Sequence, residues 1–210
     1  MTPASVTRGR SAAGRTQIVP VTPGRWDDLC RLVGPSGAYS GCWCMWWRVT
    51  SAEFSERSGA GLRDDLAAIV KDGRQPGLLA YREGEPVGWC AVAPREEYGR
   101  ILRSAKLKPA EPAEGVWSIT CFFIDRGHRG TGIASALLDA AEAHAFGRGA
   151  TAVEAYPIDD AAGRVDNASA FTGLLGMFLD AGYQEVARRG GRPTVRKDAP
   201  GGTGSRRGGA

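Results

Sequence analysis

A strand, a glycine-containing turn and a long helix are predicted in direct succession between residues 116 and 148. Residues 116–124 form an apolar run rich in β-branched and aromatic side chains, which is typical of a buried strand. After a polar turn at residues 125–129, the spacing of apolar residues becomes that of a helix. The predicted buried face of this helix consists of Ile133, Leu137, Leu138, Ala141, Ala145 and Phe146. The succession predicts a buried strand that leads directly into the N-terminus of a helix.

The start of this helix is a predicted anion site. The first backbone amides of a helix have no partner within it, and the helix dipole directs its positive end toward a ligand there. Gly130 and Gly132 carry no side chain, so a ligand's phosphates could approach the backbone closely. We therefore expect this turn to bind a pyrophosphate.

The residues around the two glycines show which of the known phosphate-binding motifs this turn resembles. A P-loop needs a lysine after its last glycine, and none follows Gly132. A dinucleotide-binding fingerprint needs a third glycine at the position that Ser135 occupies. Residues 129–134 read R-G-T-G-I-A, and this R-x-x-G-x-A pattern resembles the coenzyme A motif of the GNAT N-acetyltransferase superfamily. The resemblance implies acetyl-CoA as the co-substrate.

The length of 210 residues suits one domain with a sizeable core. We expect this domain at residues 16–198, between an N-terminal tail at 1–15 and a C-terminal tail at 199–210. Both tails are rich in small and polar residues and arginine, a composition that predicts disorder. The positive charge lies toward the two ends of the chain, at residues 1–15 and 188–210, because residues 16–187 hold 17 basic and 22 acidic residues. This balance argues against a nucleic-acid surface on the domain.

The location of the protein follows from three sequence features. There is no stretch of 18 apolar residues, so no membrane span is expected. The N-terminal residues lack the apolar run of a secretory signal. The five cysteines are an odd number spread along the chain, which suits a reducing compartment better than a disulfide framework. A cytoplasmic protein is therefore predicted.

The predicted order of elements, β-α-α-β-β-β-α-β-α-β-β, extends the resemblance over residues 16–198. It implies an α/β (α+β) GNAT fold, in which helices flank a mixed, mostly antiparallel sheet that splays at the cofactor-binding strand. Members of the family are often dimers, so a homodimer is one expected assembly.

The resemblance also assigns cofactor contacts. The backbone of residues 122–124 would pair with the pantetheine arm, the amides of residues 130–134 would receive the pyrophosphate, and one arginine would add charge. The residues so assigned are Phe122, Phe123, Ile124, Arg129, Gly130, Thr131, Gly132, Ile133 and Ala134.

The last predicted helix, residues 168–179, departs from the family pattern. The positions that carry asparagine and tyrosine in the family are Phe171 and Phe178 here, so the tyrosine that would protonate the departing thiolate is missing. General acid catalysis is typically worth about 10²–10⁴-fold, and a thiol of pKa about 8.5 leaves tolerably without it. Tyr156 and Tyr183 are possible substitutes, although core packing suits Tyr183 better.

A general base is also needed, because an amine of pKa about 10.4 is mostly protonated near neutral pH. Glu154 is the candidate, since it lies on the strand expected to form the other wall of the splay, between apolar neighbours. Burial there would raise the pKa of its carboxyl group, as a base requires. By alternation alone it could equally face outward. Asp159 and Asp160 are the weaker alternatives.

The loop at residues 41–48, G-C-W-C-M-W-W-R, is too apolar to remain in water. Trp43, Trp46 and Trp47 could line the acceptor side of the site, or they could fill the core under a long loop. Cys42 and Cys44 have the wrong spacing for a zinc knuckle, so no metal is expected.

These features predict an acyltransferase of the GNAT type that acetylates an amine of a small molecule by direct attack. Two alternatives stay open: an acyl-CoA-binding sensor module with little catalysis, and an N-acetyltransferase for proteins.

Overall fold

The computed structural model describes residues 16–109, 114–161 and 169–201. The predicted N-terminal tail, most of the predicted C-terminal tail and the first residue of the helix predicted at 168–179 lie outside these ranges. Within them, no helix is both long and apolar enough to cross a membrane.

Seven strands of the described chain form one sheet in the order β1-β2-β3-β4-β5-β7-β6. Only the pair β4–β5 is parallel, and the other neighbouring pairs are antiparallel. The predicted mixed, mostly antiparallel sheet is thereby confirmed. The strands are β1 (Gln17–Pro20), β2 (Gly77–Arg82), β3 (Glu85–Pro94), β4 (Val116–Ile124), β5 (Ala152–Ala155), β6 (Gln184–Arg189) and β7 (Arg192–Asp198).

Helices cover both faces of the sheet. The α-helices are α1 (Trp26–Val33), α2 (Ser51–Lys71), α3 (Gly99–Arg103), α4 (Ile133–Phe146) and α5 (Leu175–Asp180). Short 3-10 helices lie at Pro23–Arg25, Arg95–Glu97, Arg126–His128 and Ser169–Thr172. Buried residues of α4 and α5 share one apolar cluster on one face, and those of α1 and α2 share a second cluster on the other. The sheet is therefore the middle of three layers.

The central strand β4 has a partner along only part of one edge. It pairs with β3 from Trp117 to Ile124, but with β5 only from Val116 to Ile119. Thr120 forms a bulge, because Val92 of β3 pairs with Ile119 and Ala91 pairs with Cys121. Past this point the chain after β5 leaves the sheet and bridges to Leu174. The second half of β4 thus borders a gap, which is the expected splay.

The helix predicted at 168–179 is wrong in its extent. In the described residues it is divided into the 3-10 helix at Ser169–Thr172 and α5, which begins only at Leu175. Gly173 separates them with a φ of 84°, a left-handed conformation that few other residues adopt. The apolar spacing continues across this break, so periodicity alone does not reveal it. Leu179, which follows Leu175 at helical spacing and would share its buried face in one long helix, is 46% exposed.

Gly88 of β3 allows α4 to lie close to the sheet. A Cβ atom at this position would lie 2.8 Å from Cγ2 of Ile133 and 3.1 Å from Cδ1 of Leu137. Both side chains are buried in the first turns of α4. The position of the helix start therefore depends on the absence of a side chain at residue 88.

We predict that Gly88→Ala lowers the free energy of unfolding by about 1–3 kcal/mol, because the added methyl group overpacks this contact. Urea denaturation measures the change. Gly24→Ala is the matched control, since a Cβ atom at Gly24 would meet nothing within 4 Å. An equal effect of the two substitutions would contradict the close-packing account.

Candidate functional site

A cleft of about 430 Å³ lies where β4 and β5 separate. We call it the cofactor cleft, after the predicted cofactor residues that line it. One wall is the end of β4 and the start of α4, and the other is the segment 170–177. Most of the predicted cofactor residues line this cleft: Phe122, Ile124, Arg129, Gly130, Gly132, Ile133 and Ala134. Phe123 and Thr131 do not, because the ring of Phe123 packs on the opposite cluster and Thr131 lies on the exposed side of the turn. The structure thus brings together residues that the sequence assigns to one ligand.

The start of α4 presents unpaired amides to this cleft. The first amide of this region to donate to a described backbone group is that of Ala136, to the carbonyl of Gly132, so the amides of residues 130–135 have no described acceptor. Gly130 and Gly132 have φ values of 71° and 82°, and Cβ atoms there would meet nothing within 4 Å. Open space in front of free amides at a helix N-terminus fits a pyrophosphate.

Hydrogen bonds hold the turn that precedes α4. The Oδ2 atom of Asp125 accepts from the amide of Gly127 at 3.0 Å and lies 2.8 Å from Nδ1 of His128. The bond from His128 is the main reason that the pKa of the Asp125 carboxyl group is lowered. The hydroxyl of Thr131 donates to the carbonyl of His128, and Arg82 donates to the carbonyl of Thr131. The amides are therefore oriented before any ligand arrives.

Arg129 has a structural contact in addition to its expected charge. Its Nε donates to the carbonyl of Ile124 at 3.2 Å, which links the turn to the end of β4. The side chain also lines the cleft. Its positive charge is therefore close to the free amides.

The surroundings of Glu154 differ from the apolar ones predicted. Its Oε2 accepts from Nη1 of Arg95 at 2.9 Å and from the hydroxyl of Tyr156 at 3.3 Å. Its Oε1 accepts from Nη1 of Arg196 at 3.3 Å. The carboxylate is buried between two guanidinium groups and does not line the cofactor cleft. The alternation of side chains along β5 left the orientation of Glu154 open. Antiparallel pairing places Arg196 of β7 directly opposite Glu154, and this arginine supplies one of the two cations.

The two alternative acids also have partners. Asp159 pairs with Arg188, and the pKa of its carboxyl group is lowered first by the amide of Ala161 and then by Arg188. Asp160 accepts from the amide of Gly176 at 3.1 Å, near the start of α5.

Tyr156, the candidate acid, is buried and directly follows the last residue of β5. Its hydroxyl lies 3.2 Å from Oγ of Ser118, and burial is the main cause that raises its pKa. Ser118, Tyr156 and Glu154 form one hydrogen-bonded chain. Tyr183, the other substitute considered, packs edge-on against Phe178 in the core, and burial likewise raises its pKa.

Sequence reasoning missed Tyr39, which is the one tyrosine among the described residues that line the cofactor cleft. Its ring meets that of Phe123 edge-on, with 6.2 Å between centroids. The loop that carries it has no apolar period, so the sequence held no signal for its position. Phe178, at the family's tyrosine position, is fully buried and packs edge-on against Phe122.

The three loop tryptophans have different positions. Trp43 is 5% exposed and stacks on Trp26 with 6.0 Å between centroids. Of the two alternatives for the tryptophans, the core position fits Trp43 and the acceptor side does not, because Trp43 belongs to the core cluster of α1 and α2. Trp46 and Trp47 line a second cleft of about 510 Å³, which also includes Phe171. Because Phe171 lines both clefts, this second cleft adjoins the cofactor cleft.

Among the described residues, no group of three or more histidine, cysteine or acidic side chains could hold a metal ion. The sulfur atoms of Cys44 and Cys121 are 3.4 Å apart in the core.

Comparison with known proteins supports the likeness inferred from the motif. The model of the Acetyltransferase (GNAT) family matches residues 43–166. The solved structure of the PaiA N-acetyltransferase from Thermoplasma acidophilum, in complex with coenzyme A, has a TM-score of 0.51 at 10% identity, covering 88% of this chain and 99% of that chain. A GNAT-family acetyltransferase from Streptococcus agalactiae has a TM-score of 0.53 at 17% identity, with coverage of 88% and 96%.

A ribosomal-protein-alanine N-acetyltransferase from Brucella melitensis has a TM-score of 0.50 at 19% identity, covering 87% of this chain and 99% of that chain. At these identities the likeness is one of fold. No curated protein sequence matches the chain.

We predict that Ala134→Glu weakens the binding of coenzyme A by about 10-fold or more, because a carboxylate at the helix start repels the pyrophosphate. The same carboxylate interacts favourably with the helix dipole, so the stability of the protein should not fall. Isothermal titration calorimetry measures the first effect and urea denaturation the second. Ala143→Glu is the matched control, on an exposed position far along α4. Unchanged affinity in Ala134→Glu would show that the ligand lies elsewhere.

We predict that Glu154→Gln lowers the free energy of unfolding by about 3 kcal/mol, because it leaves two guanidinium groups without their buried anion. Glu185→Gln, which removes the exposed partner of Arg188, should cost no more than about 1 kcal/mol. Denaturant titration of the two variants compares these losses. Similar losses would mean that the buried pairs contribute no more than a surface pair.

Proposed function

The chain belongs to the acetyltransferase (GNAT) family, and on that premise we propose that it transfers an acetyl group from acetyl-CoA to an amine of a small molecule. The observation that carries the proposal is the juxtaposition in one cleft of free amides at the start of α4 and the unpaired half of β4. The first suits a pyrophosphate, and the second suits an extended chain that carries amide groups.

The residues that would hold acetyl-CoA follow from this geometry. The amides of residues 130–134 would receive the pyrophosphate, with Arg129 adding charge beside them. The backbone of residues 122–124 would pair with the pantetheine arm as an added strand, and Thr131 would complete the turn. The likeness in fold to a structure solved in complex with coenzyme A supports this assignment.

When bound, acetyl-CoA would supply a thioester carbonyl that an amine attacks directly, with departure of the thiolate and no covalent intermediate on the enzyme. The protein's part is to orient the two partners and to move protons. Orientation alone supplies a large share of such rate enhancements, because it makes the encounter effectively unimolecular.

Glu154 and Tyr156 enter the proposal as one unit. The hydroxyl of Tyr156 donates to Glu154 and contacts Ser118, which lies on β4 two residues before the bulge at Thr120. A proton from the acceptor amine would therefore reach the carboxylate through Ser118 and Tyr156. This route replaces the direct contact between amine and carboxylate that the sequence suggested.

Tyr39 is the candidate that would protonate the departing thiolate, because it lines the cofactor cleft. We expect Tyr39→Phe to lower kcat by about 10- to 100-fold while the Kd of acetyl-CoA stays within about 2-fold. Tyr81→Phe is the control, since the hydroxyl of Tyr81 donates to Asp28 on α1 and the residue does not line the cofactor cleft. A normal kcat in Tyr39→Phe would remove this residue from the reaction.

A second candidate function is an acyl-CoA-binding sensor with little catalysis. Two observations favour it: buried Phe178 stands at the family's tyrosine position, and Glu154 is held by two arginines. The sensor would keep the cofactor cleft without an efficient route for protons.

Release of free thiol from acetyl-CoA separates these functions. The assay uses a panel of amines, amino acids, aminoglycosides and short peptides with free N-termini. The proposal predicts amine-dependent release with at least one small molecule. Release with peptides alone would indicate a protein N-acetyltransferase, and tight binding of acetyl-CoA without release for any acceptor would favour the sensor.

A further inference from the structure

The second cleft continues into a neighbouring one. Trp46, Trp47, Ser104 and Leu107 line both the cleft of about 510 Å³ and an adjoining cleft of about 410 Å³. We call the two together the tryptophan groove. The ring of Trp47 lies 6.4 Å from that of Phe171, which also lines the cofactor cleft. The groove therefore reaches the place where an acceptor would meet the thioester.

All ionisable side chains that line the groove, among the described residues, are basic. They are Arg100, Arg103, Lys106 and Arg192. Residues 16–198 hold 22 basic and 23 acidic residues, so a lining that is basic throughout is a local property of this groove. Lys106 and Arg103 form no ion pair with any residue in the described ranges. The pKa of the Glu53 carboxyl group is lowered mainly by hydrogen bonds from Thr50 and also by Arg103, so of the two cations Lys106 is the one left to a ligand or to solvent.

Three hydrogen-bond donors of the lining residues are buried without an acceptor in the described part of the chain. They are Nε1 of Trp47, Nη2 of Arg100 and Nε of Arg192. All three atoms can only donate, and a buried donor without a partner costs about 1–3 kcal/mol. The side chains that line the groove therefore include donors that no described acceptor satisfies.

Contacts with neighbouring residues fix the side chains of two arginines of the groove, Arg100 and Arg192. The guanidinium group of Arg100 lies over the ring of Trp46, 3.7 Å from its centroid, and donates to Ser51. Arg192 donates to the hydroxyl of Thr172 at 2.7 Å. Burial lowers the pKa of both arginines, since it disfavours the charged form of each side chain.

Lys106 lies across the turn between β6 and β7. A Cβ atom at Gly190 would come within 3.0 Å of its Cε, so the absence of a side chain at residue 190 allows the lysine to lie there. This position brings its ammonium group to the same cleft as Arg192.

We propose that the tryptophan groove binds an anionic group, a carboxylate or a phosphate, of the acceptor, so that the substrate is an amine that also carries negative charge. The amine part of this statement rests on the proposed function, whereas the anion site rests on the groove alone. The basic lining would repel a polyamine and would favour the neutral, nucleophilic form of a bound amine.

Calorimetry with the full-length protein tests the anion site without any turnover. The probes are an amino carboxylate, its carboxamide and an aminoalkyl phosphate of matched length. We expect at least one anionic probe to bind 10-fold or more tightly than the carboxamide, with an affinity that falls as salt rises. Comparison of the amino carboxylate with the aminoalkyl phosphate shows whether the groove prefers a carboxylate or a phosphate.

Lys106→Met should lower the affinity for the anionic probe by about 10-fold and leave that for the carboxamide unchanged. Lys108→Met is the matched control, because Lys108 is exposed on the same segment and does not line the groove. Equal binding of charged and uncharged probes, or equal effects of the two substitutions, would overturn the inference.

The experiments distinguish an error in the proposed anion site from an error in the proposed acetyl transfer. Thiol release that is as fast with uncharged amines as with anionic ones would leave acetyl transfer standing and remove the anion site. Lys106-dependent binding of the anionic probe without thiol release for any acceptor would keep the site and remove acetyl transfer.

Discussion

The loss of pairing along one edge of β4 is the constraint on which the rest of this structure depends. An unpaired strand edge exposes backbone donors and acceptors that invite another chain to add to the sheet. Here the bulge at Thr120 and the departure of the chain after β5 confine the open edge to a few residues. The same strand then delivers its last residues into the turn that starts α4, so the open edge and the free amides face one cleft.

The two faces of the sheet contribute different parts of the site: one positions the start of α4, and the other carries a buried polar network. On one face, α4 lies close to β3 because Gly88 leaves room for Ile133 and Leu137. On the other, Arg95, Glu154 and Tyr156 form a buried polar network beside Trp47. A buried ion pair is weak evidence of stability by itself, since well-packed apolar side chains often do as well. Tyr156 directly follows the last residue of β5 that pairs with β4, and this position at the start of the gap links the network to the proposed chemistry.

The strand, turn and helix at residues 116–146 could be predicted from the sequence because their signals are local: apolar period, glycines and helix start lie within one stretch. The predicted bounds of β4 agree with the structure. The surroundings of Glu154 could not be predicted, since Arg95 and Arg196 are 59 and 42 residues away along the chain. The positions of the three loop tryptophans could not be predicted either. Positive φ values at Trp43 and Cys44 determine the path of this loop, and amino-acid composition does not reveal them.

The central claim is that the amides at the start of α4 hold the pyrophosphate of coenzyme A. Backbone amide NMR of the protein titrated with coenzyme A tests it most directly. The account predicts saturable shifts that are largest at residues 130–135 and at the end of β4, because ligand phosphates would accept hydrogen bonds from these amides. The absence of any shift at millimolar coenzyme A, or shifts centred away from these residues, would contradict it.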